Sequence, residues 1–300
     1  MNSLEVFILC HNRPEQAKEA IHSVLAQKNK NFKLTISDNS THDDVNLMVK
    51  KNFPTINYIR RAPSVPSLDH FNQCLSEITE DYFCLFHDDD VMLPEYTQVM
   101  SQAILQYPNA IALGANARIA HNKKTQKKPS FITNLPYKSI QSPQELLNTY
   151  FGRHQTGIAP YPSYIYKKSN LGSLAFSNLG GKHSDVIWLL QLVKKNPIIW
   201  VNQPLLIYNL HGDNLGLQES LKDRLKFLGF LKQNPSFTSK RLTSDYRFFI
   251  YKKVLTSKKN LTQPQRMKKI KTFMLVYRVC RVFRLQEYLA MLKKYNLQKI

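Results

Sequence analysis

Three consecutive carboxylates, Asp88-Asp89-Asp90, follow the apolar run Tyr82-Phe83-Cys84-Leu85-Phe86 and His87. Adjacent like charges repel one another, and such a cluster is costly unless a cation neutralises it. Mg²⁺ or Mn²⁺ held by one or two carboxylates and completed by phosphate oxygens would serve. It would also draw off charge developing on a departing nucleoside diphosphate. The plainer alternative is an acidic loop at the amino end of the helix that Pro94 opens, where the helix dipole favours negative charge. Two more polar groups end apolar runs in the same way, His11-Asn12-Arg13 and Asp38-Asn39-Ser40.

The segments that must position these groups alternate between two periods. Glu5-Val6-Phe7-Ile8-Leu9-Cys10 and Phe32-Lys33-Leu34-Thr35-Ile36-Ser37 read as buried strands, as do residues 56–59, 82–86 and 110–114. Residues 14–27 place Ala17, Ala20, Ile21, Val24 and Leu25 on one helical face, with Pro14 in the first turn. Helices are expected over 42–52, 67–79 and from Pro94 to about Tyr107. This alternation predicts an α/β fold, a Rossmann-like, mostly parallel, doubly wound sheet with helices on both faces. In such sheets the ligand crevice lies at the carboxyl ends of the strands, so the three polar groups should converge on one crevice.

Residues 121–145 are Lys-rich and aperiodic, a mobile loop or a β-excursion. A strand near Tyr164-Ile165-Tyr166, a turn at Gly180-Gly181, a helix N-capped by Ser184, and strands at 198–201 and 205–208 follow. Trp188 and Trp200 suit the core, and Tyr161-Pro162-Ser163-Tyr164 a wall of an acceptor cleft. From about residue 219 the chain turns helical and basic.

The opening Val6-Phe7-Ile8-Leu9 with Asn12-Arg13-Pro14, the helix Ala20-Ile21-His22-Ser23-Val24-Leu25-Ala26-Gln27, the strand end Ile36-Ser37-Asp38-Asn39-Ser40 and the stretch Leu85 to Pro94 resemble family 2 glycosyltransferases with the GT-A fold. The resemblance runs in order over residues 3–115. It implies an inverting transfer from a nucleotide-activated sugar, with a metal held by a DxD-type motif. Asp38 matches the carboxylate that faces the nucleobase, with Asn12, Arg13 and Asn39 in the same pocket. Asp88 and Asp90 give the D-x-D reading and bind metal, while Asp88 and Asp89 also face the sugar nucleotide. Relatives often write the motif D-x-D-D, which puts His87 where an aspartate is common and leaves open which pair holds the ion. Ser184-Asp185 resembles the family's acidic catalytic motif. Asp185, the one acidic residue between Glu145 and Asp213, is the implied base, and nearby His183 could orient the acceptor. The alternative for Asp185 is a carboxylate that only complements the dipole of its helix. Tyr208-Asn209-Leu210-His211-Gly212-Asp213-Asn214 resembles a weaker Y-x-x-H-x-x-N motif, in which His211 completes the metal shell or touches the diphosphate.

Charge separates two regions. Residues 1–120 hold 10 Lys/Arg against 14 Asp/Glu, whereas residues 121–300 hold 32 against 7. Such asymmetry asks for an anionic partner: nucleic acid, acidic lipid or a phosphorylated acceptor. In residues 268–285, Leu275, Val276, Val279, Val282 and Phe283 share one helical face, with Lys271, Arg278, Arg281 and Arg284 mostly opposite. A helix of that kind can lie on an anionic membrane, so residues 260–300 are expected to anchor the protein there. The resemblance and the basic tail together point to a glycan or lipid-linked acceptor, a bacterial lipopolysaccharide core or O-chain or a capsule precursor. The expected organisation is a catalytic domain over 1–218, with a nucleotide-sugar half (1–115) and an acceptor half (116–218), and a basic helical extension over 219–300. Four dispersed cysteines, no leader and no apolar run of about 18–20 residues suit a cytoplasmic protein at the inner face of the membrane. A nucleotidyltransferase or phosphotransferase could also use paired aspartates, but no Gly-rich phosphate loop is present. Nucleic-acid binding finds no recognisable motif, and the acidic cluster would repel a phosphate backbone.

Overall fold

The structure is a computed structural model that describes residues 3–121, 124–152, 155–210 and 220–256. Two compact units divide the chain, Met1–Thr238 and Ser239–Ile300.

The first unit is built on strands that the helices cover. Strand β1 (Leu4–Cys10) is buried along its whole length. It pairs in parallel with β2 (Lys33–Asp38) on one side and β4 (Tyr82–His87) on the other, and β2 pairs in parallel with β3 (Asn57–Arg60). A strand covered on both faces must be apolar at successive positions, which is why β1 and β4 read as unbroken hydrophobic runs. The exception, Glu5, is buried yet satisfied by Lys33 Nζ at 3.0 Å and the Thr79 amide at 2.9 Å. Helix α1 (Pro14–Leu25) seals one face with Ala17, Ala20, Ile21 and Val24, all fully buried. Helices α2 (Asp44–Asn52) and α3 (Ser67–Glu77) complete the alternation.

Beyond β4 the sheet is mixed. Its order is β3-β2-β1-β4-β9-β6-β10-β5, with β9 (Tyr164–Lys167) antiparallel to both β4 and β6 (Ala112–His121). The expected parallel order therefore holds from β3 to β4, while β9 is inserted against the direction of its neighbours. Strand β10 (Ile198–Leu210) is continuous where two strands were expected, and runs parallel to β6. Pro204 cannot donate to the ladder, and the register shifts around it as a bulge instead of ending the strand. The short β5 (Val91–Met92) closes the edge against β10, and helix α4 (Tyr96–Gln106) follows it. Of the two readings for residues 121–145, the β-excursion is the one realised. Strand β7 (Lys124–Pro129) folds back on β6, and β8 (Tyr137–Ile140) adds to β10. Helix α5 (Pro143–Phe151) follows, N-capped by Ser142.

Helix α6 (Ser184–Val193) begins at the expected place, but the capping position belongs to His183. Ser184 already has helical dihedrals and makes no cap. Trp188 and Trp200 are fully buried as expected, the first stacked on Phe176 and the second donating to Tyr164 Oη at 2.7 Å. Helix α7 (Leu221–Gln233) falls in the first unit, so that unit continues about twenty residues past the expected boundary at 218. In the second unit the structure describes helix α8 (Lys240–Thr256). Residues 260–300, with the expected anchor, lie outside the described residues. Among the described residues no helix is long and apolar enough to cross a membrane.

Candidate active site

Register brings the three polar groups to one edge. Cys10 sits opposite Asp38, and Leu9 opposite His87, so the chain leaves β1, β2 and β4 side by side. Asn12 adopts φ of 55°, a left-handed conformation that asparagine tolerates better than most side chains. Its carboxamide oxygen accepts from the Thr41 amide at 2.8 Å, and its own amide donates to Ser40 Oγ at 2.8 Å. Asn39 pairs with the Val65 backbone in both directions at 2.8 Å.

Asp38 is fully buried and saturated by its own chain. One oxygen accepts from the Ser40 amide at 2.9 Å and Ser40 Oγ at 2.5 Å; the other accepts from Tyr58 Oη and Arg60, both at 2.6 Å. Tyr58 and Arg60, which hold Asp38, were not singled out by the sequence reasoning. The signal was present in the strand at 57–60: in parallel register Arg60 pairs with Asp38 and Tyr58 with Ile36. Beneath this edge, Ser37 Oγ accepts from Arg61 and lies 2.7 Å from the buried ring of His70. Burial, followed by the Arg61 charge, pushes the His70 imidazole down to about 4.

The acid triplet divides into two environments. Asp88, wholly buried, accepts from the Arg13 guanidinium and from the His11 amide at 2.9 Å. Arg13 also reaches Asp89 Oδ2 at 2.7 Å. Burial lifts the Asp88 carboxyl to about 7, against the pull of Arg13. Asp90 is raised well above the ordinary carboxylate range, first by burial and then by the Asp89 charge. Its Oδ1 accepts from the Asn209 amide at 2.8 Å, whereas its Oδ2 is buried without a hydrogen-bond partner. Nε2 of His87 is likewise buried without one, and His87 Nδ1 stands 3.8 Å from Asp90 Oδ2.

Ligand atoms from His87, Asp89 and Asp90 all lie within 4.8 Å of one another. This is close to the roughly 4.2 Å that separates opposite ligands at bonds of about 2.1 Å, and the donor set suits a divalent cation. Asp88, paired with Asp90 on the sequence reading, is turned instead to Arg13 and His11. His211 falls within residues 211–219, outside the described residues.

A cavity of about 460 Å³ opens beside this cluster, with His87, Phe71, Tyr161, Phe176, Tyr208 and Asp185 among its lining. That size is ordinary for a small-molecule site, and the walls are largely apolar with several aromatic rings among them. Tyr161 lies in a 3-10 turn, Tyr161–Ser163, and faces the His87 ring with centroids 5.6 Å apart. Of the expected acceptor wall, Tyr161 is at the cavity, whereas Tyr164 is buried in β9 and stacked on Tyr166. Asp185 stands in the first turn of α6 and accepts from the Val186 amide at 2.8 Å. His183 is buried, its ring flat against Phe227 at 4.6 Å, and it is not among the cavity's lining.

Comparison with known proteins bears on the fold and the family. Solved structures with similar folds include S. aureus TarS 1–349, at 12% identity and a TM-score of 0.62, over 91% of this chain and 80% of that one. The same fragment solved with UDP-GlcNAc aligns at 13% identity and a TM-score of 0.63, over 91% and 81% of the two chains. The longer S. aureus TarS structure matches at 12% identity and a TM-score of 0.55, over 84% of this chain and 49% of that one. These likenesses establish the GT-A fold. The sequence profile described as glycosyl transferase family 2 matches residues 5–167, from the start of β1 to the end of β9. Because that match spans more than half of the 300 residues, the chain belongs to glycosyl transferase family 2 and is a glycosyltransferase.

Proposed function

We propose that this glycosyltransferase moves a sugar from a nucleoside-diphosphate sugar, with UDP as the preferred carrier, to a hydroxyl of a glycan or lipid-linked acceptor. The reaction proceeds with inversion. The observation that carries the reading is a single cavity whose lining includes both His87, a member of the acid cluster, and Asp185. The cluster side can receive a diphosphate, and the Asp185 carboxylate a nucleophile's proton. UDP is chosen because a protein of the same fold has been solved with UDP-GlcNAc.

In this reading Asn12, Arg13, Asp38 and Asn39 form the nucleotide end, and Asp88 and Asp89 the sugar and ribose side. Asp90 holds Mn²⁺ or Mg²⁺, with His211 as the further ligand implied by family resemblance; Asp88, the other carboxylate of the D-x-D reading, has its oxygens on Arg13 and the His11 amide. The orphaned Asp90 Oδ2 supports that fit. When bound, the ion neutralises charge on the leaving diphosphate. Asp185 takes the proton of the acceptor hydroxyl as that oxygen attacks the anomeric carbon from the face opposite the diphosphate. The aromatic lining of Phe71, Tyr161 and Phe176 suits the faces of a sugar ring and excludes water. Residues 260–300 tether the enzyme to the anionic inner face of the cell membrane, where a lipid-linked surface-glycan precursor would be met.

Asp185→Asn tests the assignment. The variant should bind UDP with Mn²⁺ as the wild type does, read by calorimetry. Its turnover with a donor sugar should fall by about 10²–10⁴. Full turnover in the variant removes Asp185 as the base, and a failure of the wild type to bind any nucleoside diphosphate removes the donor reading.

A further inference from the structure

From the geometry around the triplet we infer that His87 is itself a metal ligand, and that its imidazole tunes the site toward Mn²⁺ and later first-row ions over Mg²⁺. This rests on the reading of the acid cluster as a cation site and deepens it.

Three observations carry the inference. His87 is the last residue of β4, so strand geometry, not a loose loop, sets where its ring begins. Phe71 edge-on at 6.1 Å and Tyr161 at 5.6 Å flank the ring and restrict its rotation. Its Nε2 and Asp90 Oδ2 are both buried without hydrogen-bond partners, and a ligand atom of each, with one of Asp89, falls inside the 4.8 Å cluster. Asp90 is only 1% exposed, so leaving that oxygen bare is expensive unless a cation meets it. Asp88 is not part of the cluster: both its oxygens accept, from Arg13 and from the His11 amide, whereas Arg13 reaches one oxygen of Asp89. The set that converges is thus one nitrogen and two carboxylates. Mg²⁺ favours all-oxygen octahedra and sheds water reluctantly, whereas imidazole favours ions further along the first transition row.

The experiment is Mn²⁺ binding to the full chain, with and without UDP, read by pulsed EPR for nitrogen coupling and by calorimetry for affinity. The wild type should show imidazole nitrogen coupling that persists in His211→Gln, weakens in His87→Gln and is lost altogether when both are replaced. Wild-type affinity for Mn²⁺ should exceed that for Mg²⁺ by about tenfold or more, and His87→Asp should narrow that ratio toward unity. Thermal melts without metal identify any variant that has lost its fold, and the wild-type nitrogen signal stands independently of all of them. If bound Mn²⁺ shows no nitrogen coupling, or keeps it in His87→Gln and loses it in His211→Gln, the role of His87 is overturned while the cation site survives. If Mn²⁺ fails to bind the wild type even with UDP, the cation reading falls and this inference with it.

Discussion

Replacing Arg13 with methionine keeps the bulk of the side chain and removes its charge, leaving the buried Asp88 carboxylate with one donor from its neighbours, the His11 amide. The Arg13 side chain is 27% exposed and that of Asp88 fully buried, so the pair is screened little. Removing one partner of a buried pair typically costs about 3–5 kcal/mol, and the partial exposure of Arg13 argues for the low end, about 3 kcal/mol. The loss must depend on pH. In the wild type the Asp88 carboxyl lies near 7, raised by burial and held down by Arg13, against an unfolded value of about 3.9. Between those values the folded state binds more protons than the unfolded one, so stability falls as pH rises, and the fall ends just above 7. In Arg13→Met the carboxyl rises further and the fall continues above 7, at up to about 1.4 kcal/mol per pH unit. Urea unfolding in EDTA at about pH 6 and about pH 8.5 should therefore give a small deficit at the lower pH and a large one at the higher. Adding Asp88→Asn should recover much of the deficit at the higher pH. An equal deficit at both pH values, or no recovery in the double variant, would refute the idea that Arg13 works by neutralising Asp88.

Gly114→Ala should cost about 1–3 kcal/mol by urea unfolding, because a new methyl would stand 2.7 Å from the Tyr164 ring and 2.9 Å from Ala159 Cβ. His70, near 4 in the folded protein against about 6.5 unfolded, binds protons preferentially in the unfolded state between those values. Stability should thus fall by about 3 kcal/mol as pH drops from 6.5 to 4, and His70→Phe should flatten that part of the profile; an unchanged slope points to other groups. Deleting residues 260–300 should reduce co-sedimentation with anionic vesicles and spare UDP binding, whereas equal partition of both forms discards the tether.

Local pattern alone was enough for the first half of the fold. The apolar runs of β1 and β4, the 3.6-residue spacing of Ala17, Ala20, Ile21 and Val24, and the polar clusters after each strand are properties of neighbours along the chain. They placed Asp38, Asp88–Asp90 and the helix carrying Asp185 before any tertiary contact was known. Which atoms of those residues are free to act was a different matter. The four donors around Asp38 come from Ser40, Tyr58 and Arg60, and the guanidinium on Asp88 comes from 75 positions away. The reversed insertion of β9 between β4 and β6, the unbroken β10 and the inclusion of α7 in the first unit likewise rest on pairings between distant segments. Periodicity reports which face of a segment is covered, but not what covers it. Hydrogen bonding and desolvation depend on that covering partner, so only the structure could show the Asp88 oxygens taken by Arg13 and the His11 amide, and a ring nitrogen of His87 beside carboxylate oxygens of Asp89 and Asp90.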